Sequence, residues 1–364
     1  MGRNRDNTAN IRNDGPKLIT ARDIAAEVGV AISTVGRALA DDPRISARTK
    51  ALVRKAAEQV GYAGNTPARV MRGGASNLVG LILPDVRNDF YSEIAQALSE
   101  TCDRAGHRLV LAITGDDRDV EARHIRELTS ARASGVIIVP TASPRRESIK
   151  MLRGLPHVQL LRHLSAIGNI WFGINDEPAL LEATQHLIAL GHRRIAYLGG
   201  EESHSTGAAR LRGFRRACVA LGNSRELVTE SLGPTTAAFG AFATERLLGL
   251  PKPPTAIVTG SVHITLGLIE AVERLGVEVP ERVSVIGFGD PVWFQWWHGG
   301  LTTIRPPVQE LATTCGLWFL HNLSAKKPPD TWTGHHSVAN SQLLVRATAK
   351  RAEAVAARRT SARV

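Results

Sequence analysis

The chain has 364 residues, 43% of them apolar, and carries 45 Lys+Arg against 34 Asp+Glu for a formal charge of +11. That leaves room for a small head and one or two large domains with enough apolar side chains for a core. No apolar run is long enough to cross a bilayer, and three widely spaced cysteines, Cys102, Cys218 and Cys315, fit neither a disulfide framework nor a zinc site.

Residues 1–17, MGRNRDNTANIRNDGPK, are polar and lack the apolar centre of a signal peptide. A disordered leader on a cytoplasmic protein is therefore expected. Thr20 followed three residues later by Asp23 is a helix-start signal. Ile24, Ala25 and Val28 then fall on one helical face, and Gly29 ends the helix in a tight turn. A second helix is expected over Ile32 to Ala40. A third opens at Ser46 and runs to Gly61 with Leu52, Val53, Ala56 and Val60 inward. Two short helices joined by a glycine turn and backed by a third form a helix-turn-helix, which can lay its second helix in a major groove. The same spacing fits a plain three-helix bundle. The exposed Ser33, Thr34 and Arg37 favour DNA, because short hydrogen-bonding groups and a guanidinium suit base edges and phosphates. The charge map agrees. Residues 1–74 hold 13 basic against 7 acidic residues, residues 346–364 hold 6 against 1, and the body between is balanced at 26 each. A positive head suits a phosphate-neutralising module.

The runs Asp23-Ile24-Ala25, Val28-Gly29-Val30 and Thr34-Val35-Gly36-Arg37-Ala38-Leu39 are followed by Ile45-Ser46, Thr49, Gly61-Tyr62, Asn65 and Ala68-Arg69. Together they resemble the head of the LacI-type bacterial transcription regulators, and the similarity continues to about Val345. The resemblance implies an α/β chain with an all-α helix-turn-helix head (18–62) and a hinge helix (63–75). A two-lobed Rossmann-like effector domain follows (76–345), similar to periplasmic binding proteins. Lobe 1 is expected over 76–174 and 303–333, and lobe 2 over 175–302 and 334–345. Residues 346–364 remain as a basic tail. The implied partners are pseudo-palindromic operator DNA, a small-molecule effector that is a carbohydrate or glycoside, and a second copy of the chain. The tail has no Leu for the coiled-coil seam of tetrameric members, so a dimer is expected.

Carried over residue by residue, the DNA contacts are Thr20, Ile32, Ser33, Thr34 and Arg37 in the head, with Asn65, Ala68 and Met71 in the hinge. Thr66, Pro67 and Gly73 bracket about two turns of helix, too short to be stable alone. Met71 stands where the family inserts an apolar wedge into the minor groove. Two residues depart from the pattern. Ala31 replaces a Ser that caps the recognition helix, and Gly36 replaces a second Ser; each change weakens the helix by up to about 1 kcal/mol.

Beyond the hinge, apolar strands at Leu78–Leu83, Arg108–Ile113, Gly135–Val139, Val158–Leu161, Arg194–Leu198, Ala256–Val258 and Val283–Phe288 alternate with helical stretches. The latter are Tyr91–Ala105, Asp119–Ser130, Pro178–Leu190, Ala209–Leu221, Phe239–Leu248 and Ile264–Leu275. This alternation predicts parallel sheets covered by helices, and its restart near Asn175 predicts two similar halves. The resemblance adds three crossovers between them, with Leu301–Val345 crossing back to complete both lobes.

Ligands of open parallel sheets bind beyond the carboxyl ends of the strands. Those ends bring up Asp85, Phe90, Tyr91, Thr114, Asp116, Thr141, Arg162, the loop from Glu201 to Arg210, Ser261 and Asp290. Trp293, Trp296 and Trp297 follow at once; their indole faces would stack on a sugar or pack as core. Arg210, in the family's R-x-x-G-[FY] motif, either meets ligand or holds a lobe-stabilising ion pair. His204 and Thr206 match positions that contact effector in some members. The expected effector set is therefore Asp85, Phe90, Tyr91, Arg162, His204, Thr206, Arg210, Ser261, Asp290, Trp293 and Trp296. Ser261-Val262 replaces the family's Asn-Asp pair. The turn Gly287-Phe288-Gly289-Asp290 lacks the first of two aspartates.

No phosphate loop, zinc-protease helix, nucleophile elbow or dinucleotide fingerprint occurs. No enzyme, cofactor or metal is expected, and His335-His336 reads as a polar turn. The rival reading is a cytoplasmic sugar-binding protein or enzyme on the same fold with a vestigial head.

Overall fold

The computed structural model describes residues 19–39, 41–60, 76–221, 228–325, 332 and 334–352. The leader, the hinge with Asn65, Ala68 and Met71, and residues 353–364 lie outside these. In the head, helix α1 (Ala21–Val28) begins where the Asp23 carboxylate accepts from the backbone N–H and the hydroxyl of Thr20, both at 2.7 Å. It ends at Gly29, whose φ of 71° is left-handed and would strain any side chain. Helix α2 (Ile32–Leu39) follows, then α3 (Ala47–Gln59), where Ser46 Oγ accepts from the Thr49 N–H at 3.2 Å. Ile24, Ala25, Val35, Ala38, Val53, Ala56 and Ala57 form the core of the head. Leu52 is not in it. It is 50% exposed, because the inward stripe of α3 runs through Val53, Ala56 and Ala57, about 100° away around the helix. Asp41, just past α2, pairs with Lys50 at 3.0 Å and Arg54 at 2.9 Å, anchoring that turn to α3.

Residues 77–364 form a separate compact unit. Lobe 1 is built from β1 (Leu78–Leu83), α4 (Asp89–Arg104), β2 (Arg108–Ile113), α5 (Arg118–Ser130), β3 (Gly135–Ile138), α6 (Arg146–Arg153), β4 (His157–Leu160) and β5 (Ile170–Ile174). Lobe 2 repeats the plan with α7 (Asp176–Ala189), β6 (Ile195–Gly200), α8 (Ser205–Cys218), β7 (Val228–Gly233), α9 (Ala237–Leu248), β8 (Ala256–Thr259), α10 (Val262–Arg274), β9 (Ser284–Phe288) and β10 (Thr302–Arg305). The chain returns to lobe 1 with α11 (Val308–Ser324) and β11 (His335–Ala339), then to lobe 2 with β12 (Gln342–Leu344). Strand orders are β2-β1-β3-β4-β5-β11 and β7-β6-β8-β9-β10-β12, the same winding twice. Every pairing is parallel except β10 with β12. Helices cover both faces of each sheet, so strands such as LVGLIL are buried beyond their first residue and read as continuous apolar runs. Among the described residues, no helix is long and apolar enough to cross a membrane.

The lobe boundaries differ from expectation at the last crossings. Thr302 pairs with Ile286 in register, so the chain stays in lobe 2 through Arg305 rather than leaving near residue 303. His335 pairs with Ile170, so β11 belongs to lobe 1, and the return to lobe 2 comes after Ala339 rather than at 334. Residues 346–352 are not a free tail. Thr348 is buried; its hydroxyl accepts from the Thr302 N–H and donates to the Val285 carbonyl, each at 2.9 Å. Ala352 N–H reaches Leu190 O at 2.9 Å.

Thr348→Val keeps the shape of this strap but leaves the Thr302 N–H without its acceptor. We expect it to cost about 1–3 kcal/mol, read as a lower urea midpoint at unchanged m-value.

Candidate functional site

Both sheets run 2-1-3 from one edge, so each first strand lies at a switch of winding direction, where helices diverge and leave a crevice at the carboxyl ends. The crevices of the two lobes face each other across a cavity of about 840 Å³. Asp85, Phe90, Tyr91 and Arg162 line it from lobe 1. His204, Thr206, Arg210 and Ser261 line it from lobe 2.

The two arginines are fixed before any ligand arrives. Arg162 forks onto both carboxylate oxygens of Asp116 and donates to Pro140 O at 3.4 Å. Arg210 donates through Nε to Asp176 at 2.8 Å and through a terminal nitrogen to Gly260 O at 2.6 Å, and lies 3.9 Å over the Phe288 ring. The ion-pair alternative for Arg210 therefore holds, and the residue also lines the cavity. Burial pushes the Asp176 carboxyl up, against the pull of Arg210. Asp85 is also held: its Oδ1 accepts from the Arg87 N–H at 2.9 Å. Burial opposes its charge, but the bonds from Arg87 and the nearby His263 leave it below the usual carboxylate range.

Helix α8 presents its first turn to the cavity. Gly207 is required there, since a Cβ on it would lie 2.1 Å from Glu201 O. Burial, and then the charge of Arg162, hold His204 below the ordinary imidazole value of 6.5. Its Nδ1 is buried without a hydrogen-bond partner. Ser261 Oγ is engaged as the cap of α10, accepting from the Ile264 N–H at 3.2 Å.

Three expected residues lie elsewhere. Asp290 is held by both terminal nitrogens of Arg346, at 2.7 and 2.9 Å, and does not line the cavity. Trp293 packs on the lobe 2 core beside Phe294, and Trp297 likewise, with its indole N–H donating to Glu273 at 2.7 Å. Trp296 is 73% exposed. The turn after β9 folds back over α10 and carries all three indoles away from the crevice. Conversely, Arg87, Arg118, Thr235, Thr236, His263 and Phe288 line the cavity without having been singled out. Thr235 and Thr236 follow β7, a polar edge strand that gives no apolar run. Phe288, as the last residue of β9, was open to the strand-end rule. Among the described residues, no three His, Cys, Asp or Glu side chains gather to hold a metal ion.

In the head, α2 buries Val35 and Ala38 and turns Ile32, Ser33 and Arg37 to solvent, with Thr34 at the edge. Thr20 lies at the start of α1. One exposed face of α2 thus offers a guanidinium, hydroxyls and an aliphatic group.

Residues 20–65 match the family model for bacterial regulatory proteins, lacI family, and residues 184–348 that for a periplasmic binding protein-like domain. The chain is 28% identical over 326 residues to the HTH-type transcriptional repressor CytR of Escherichia coli (strain K12), covering 89% of this chain and 93% of that protein. It is 31% identical over 317 residues to the HTH-type transcriptional regulator MalR of Streptomyces coelicolor (strain ATCC BAA-471 / A3(2) / M145), covering 84% and 91%. Among solved structures, the lac repressor dimer bound to operator and the anti-inducer ONPF matches with a TM-score of 0.77 at 23% identity. That match covers 92% of this chain and all of that one, and is a likeness of fold.

Two outcomes follow from the cavity wall. Gly207→Ala must displace the first turn of α8 from the Glu201 loop. We expect weaker ligand binding and about 1–3 kcal/mol lower stability, with native helix content by circular dichroism. His163 and His204 are both depressed, chiefly by burial, so below pH 6.5 the native state binds fewer protons than the unfolded chain. Stability should be full above that pH and fall as pH drops through the depressed values, and His204→Gln should flatten the decline in urea titrations from pH 7 to 5.

Proposed function

The chain belongs to the lacI family of bacterial regulatory proteins, and we propose that it is a repressor whose hold on operator DNA is set by a carbohydrate bound between its lobes. The observation that carries this reading is the pairing, in one chain, of a helix-turn-helix with a polar exposed face and a separate two-lobed unit enclosing a cleft. Arg37 and Ser33 read base edges, Ile32 meets a thymine methyl, and Thr20 and Thr34 take phosphates. Asn65, Ala68 and Met71 extend the contact into the minor groove at the centre of a two-fold operator, so the working form is a homodimer. The protein acts in the cytoplasm.

A carbohydrate suits the cleft because the Arg162 and Arg210 guanidiniums, the His204 ring and the Asp85 and Glu201 carboxylates line it together with the rings of Phe90, Tyr91 and Phe288. The lost first aspartate and the engaged Asp290 leave recognition from lobe 2 to the α8 turn, Arg210 and Ser261. A hydrolytic reading lacks support: the Ser261 hydroxyl oxygen accepts from a backbone N–H, and no bond among the described residues joins it to a histidine base. A thermal-shift screen against a sugar library identifies the effector, since a ligand at a hundred times its dissociation constant stabilises by about 2.7 kcal/mol. No stabilisation by any sugar, sugar acid or glycoside would remove the carbohydrate assignment.

Arg210→Ala is a poor probe of ligand contact, because it strands the buried Asp176 carboxylate at a cost of about 3–5 kcal/mol. Thr206→Val is the cleaner variant. For the head, we expect Arg37→Ala to cost about 1–3 kcal/mol in binding to a selected operator and far less on random DNA, measured by mobility shift at fixed salt. Equal losses on both would make Arg37 a phosphate contact.

A further inference from the structure

Among the described residues, a hydrogen bond and a longer polar contact join the lobes across the cleft. The His163 N–H of lobe 1 donates to Ser205 Oγ of lobe 2 at 3.1 Å. Asp85 Oδ2, in the loop after β1, lies 3.8 Å from His263 Nε2, in the first turn of α10. The second contact is the more informative because both ends are anchored. Asp85 commits Oδ1 to the backbone N–H of Arg87 and turns Oδ2 toward lobe 2. His263 follows Ser261, whose side chain fixes the start of α10. Both residues line the cavity, and their side chains are 22% and 23% exposed, so the pair stands at its rim rather than in either core.

We propose that His263 is a positioning residue of the effector site, forming with Asp85 a clasp that sets how far the lobes close on a ligand. The proposal rests on the cleft being the effector site. The crossings permit such a pivot. The Asn175 side-chain amide donates to Asn340 Oδ1 at 3.0 Å, and the Asn175 N–H bonds to Ala339 O at 2.9 Å, so two of the three crossings are tied together and can bend as one. Closure is then adjusted by contacts between the lobes rather than by the connections themselves. With His263 protonated, such a partly solvated pair contributes modestly, enough to change a closed-to-open ratio roughly two- to fivefold. A ligand that keeps Asp85 and His263 within reach stabilises the closed form, and one that separates them favours the open form. The clasp therefore discriminates between ligands that bind the same walls.

The test measures lobe separation in the full chain without ligand or DNA. Spin labels are placed on cysteines introduced by Glu100→Cys on α4 and Glu270→Cys on α10, both exposed; the three native cysteines are buried and stay unlabelled. Electron–electron distance distributions are then recorded. We expect Asp85→Ala and His263→Ala each to shift weight toward longer distances by that two- to fivefold ratio. The double variant should shift no further than either alone, as required of two halves of one contact. The exchange Asp85→His with His263→Asp should return the distribution toward the starting one. Should either alanine variant fail to fold, Asp85→Asn and His263→Gln serve in its place. Unchanged distributions in the single variants, or shifts that simply add in the double variant, would overturn the clasp. Operator binding of the same proteins is scored separately, so loss of the clasp and loss of the regulator reading are told apart.

Discussion

Arg210 leaves α8 and binds Asp176 at the start of α7, Gly260 just past β8, and the face of Phe288 at the end of β9. One guanidinium thereby joins four pieces of lobe 2 at the carboxyl edge of its sheet. Arg162 does the same in lobe 1, with Asp116 beyond β2 and Pro140 beyond β3. Both arginines are nearly buried, at 9% and 11% side-chain exposure, and a charge so placed is tolerable only with a partner held in position. The cost of ordering these groups is met during folding, so both guanidiniums stand fixed at the cavity wall. The planar fork suits hydroxyls and carboxylates in a way that a lysine ammonium would not.

The fold was legible where burial is symmetrical. Strands covered on both faces spell their own apolar runs, as in LVGLIL at Leu78–Leu83. Two edge strands give no such run, VTESLG at Val228–Gly233 and HHSVA at His335–Ala339, although the edge strand RLVLAI at Arg108–Ile113 does; the short inner strands IWFGI at Ile170–Ile174 and TTIR at Thr302–Arg305 are not predicted either. With no apolar run at β11, the sequence pattern places the last lobe boundary too early. In the head, the stripe of α3 was read one residue too wide at Leu52, because a leucine in a helix advertises core membership whichever way it points.

The site divides along the same line. Strand-end reasoning located Asp85, Arg162 and Arg210 because the winding alone fixes where the crevice opens. It failed at Asp290, whose partner Arg346 lies 56 residues on, a pairing that no local pattern announces. It failed at the tryptophans because indoles serve cores and sugars equally well. The deciding feature was the backfolded turn with its bond from Trp297 to Glu273. His263 gives no signal beyond lying four residues past the end of β8. Its importance comes from a carboxylate in the other lobe.

If a ligand in the cleft controls the head, the two bindings form one thermodynamic cycle, and coupling must be equal in both directions. Operator affinity is measured by fluorescence anisotropy with and without the sugar found by screening, and sugar affinity by calorimetry with and without saturating operator. Both affinities are expected to change by the same factor, within about 5- to 150-fold. A sugar that binds the cleft while leaving operator affinity unchanged would contradict it.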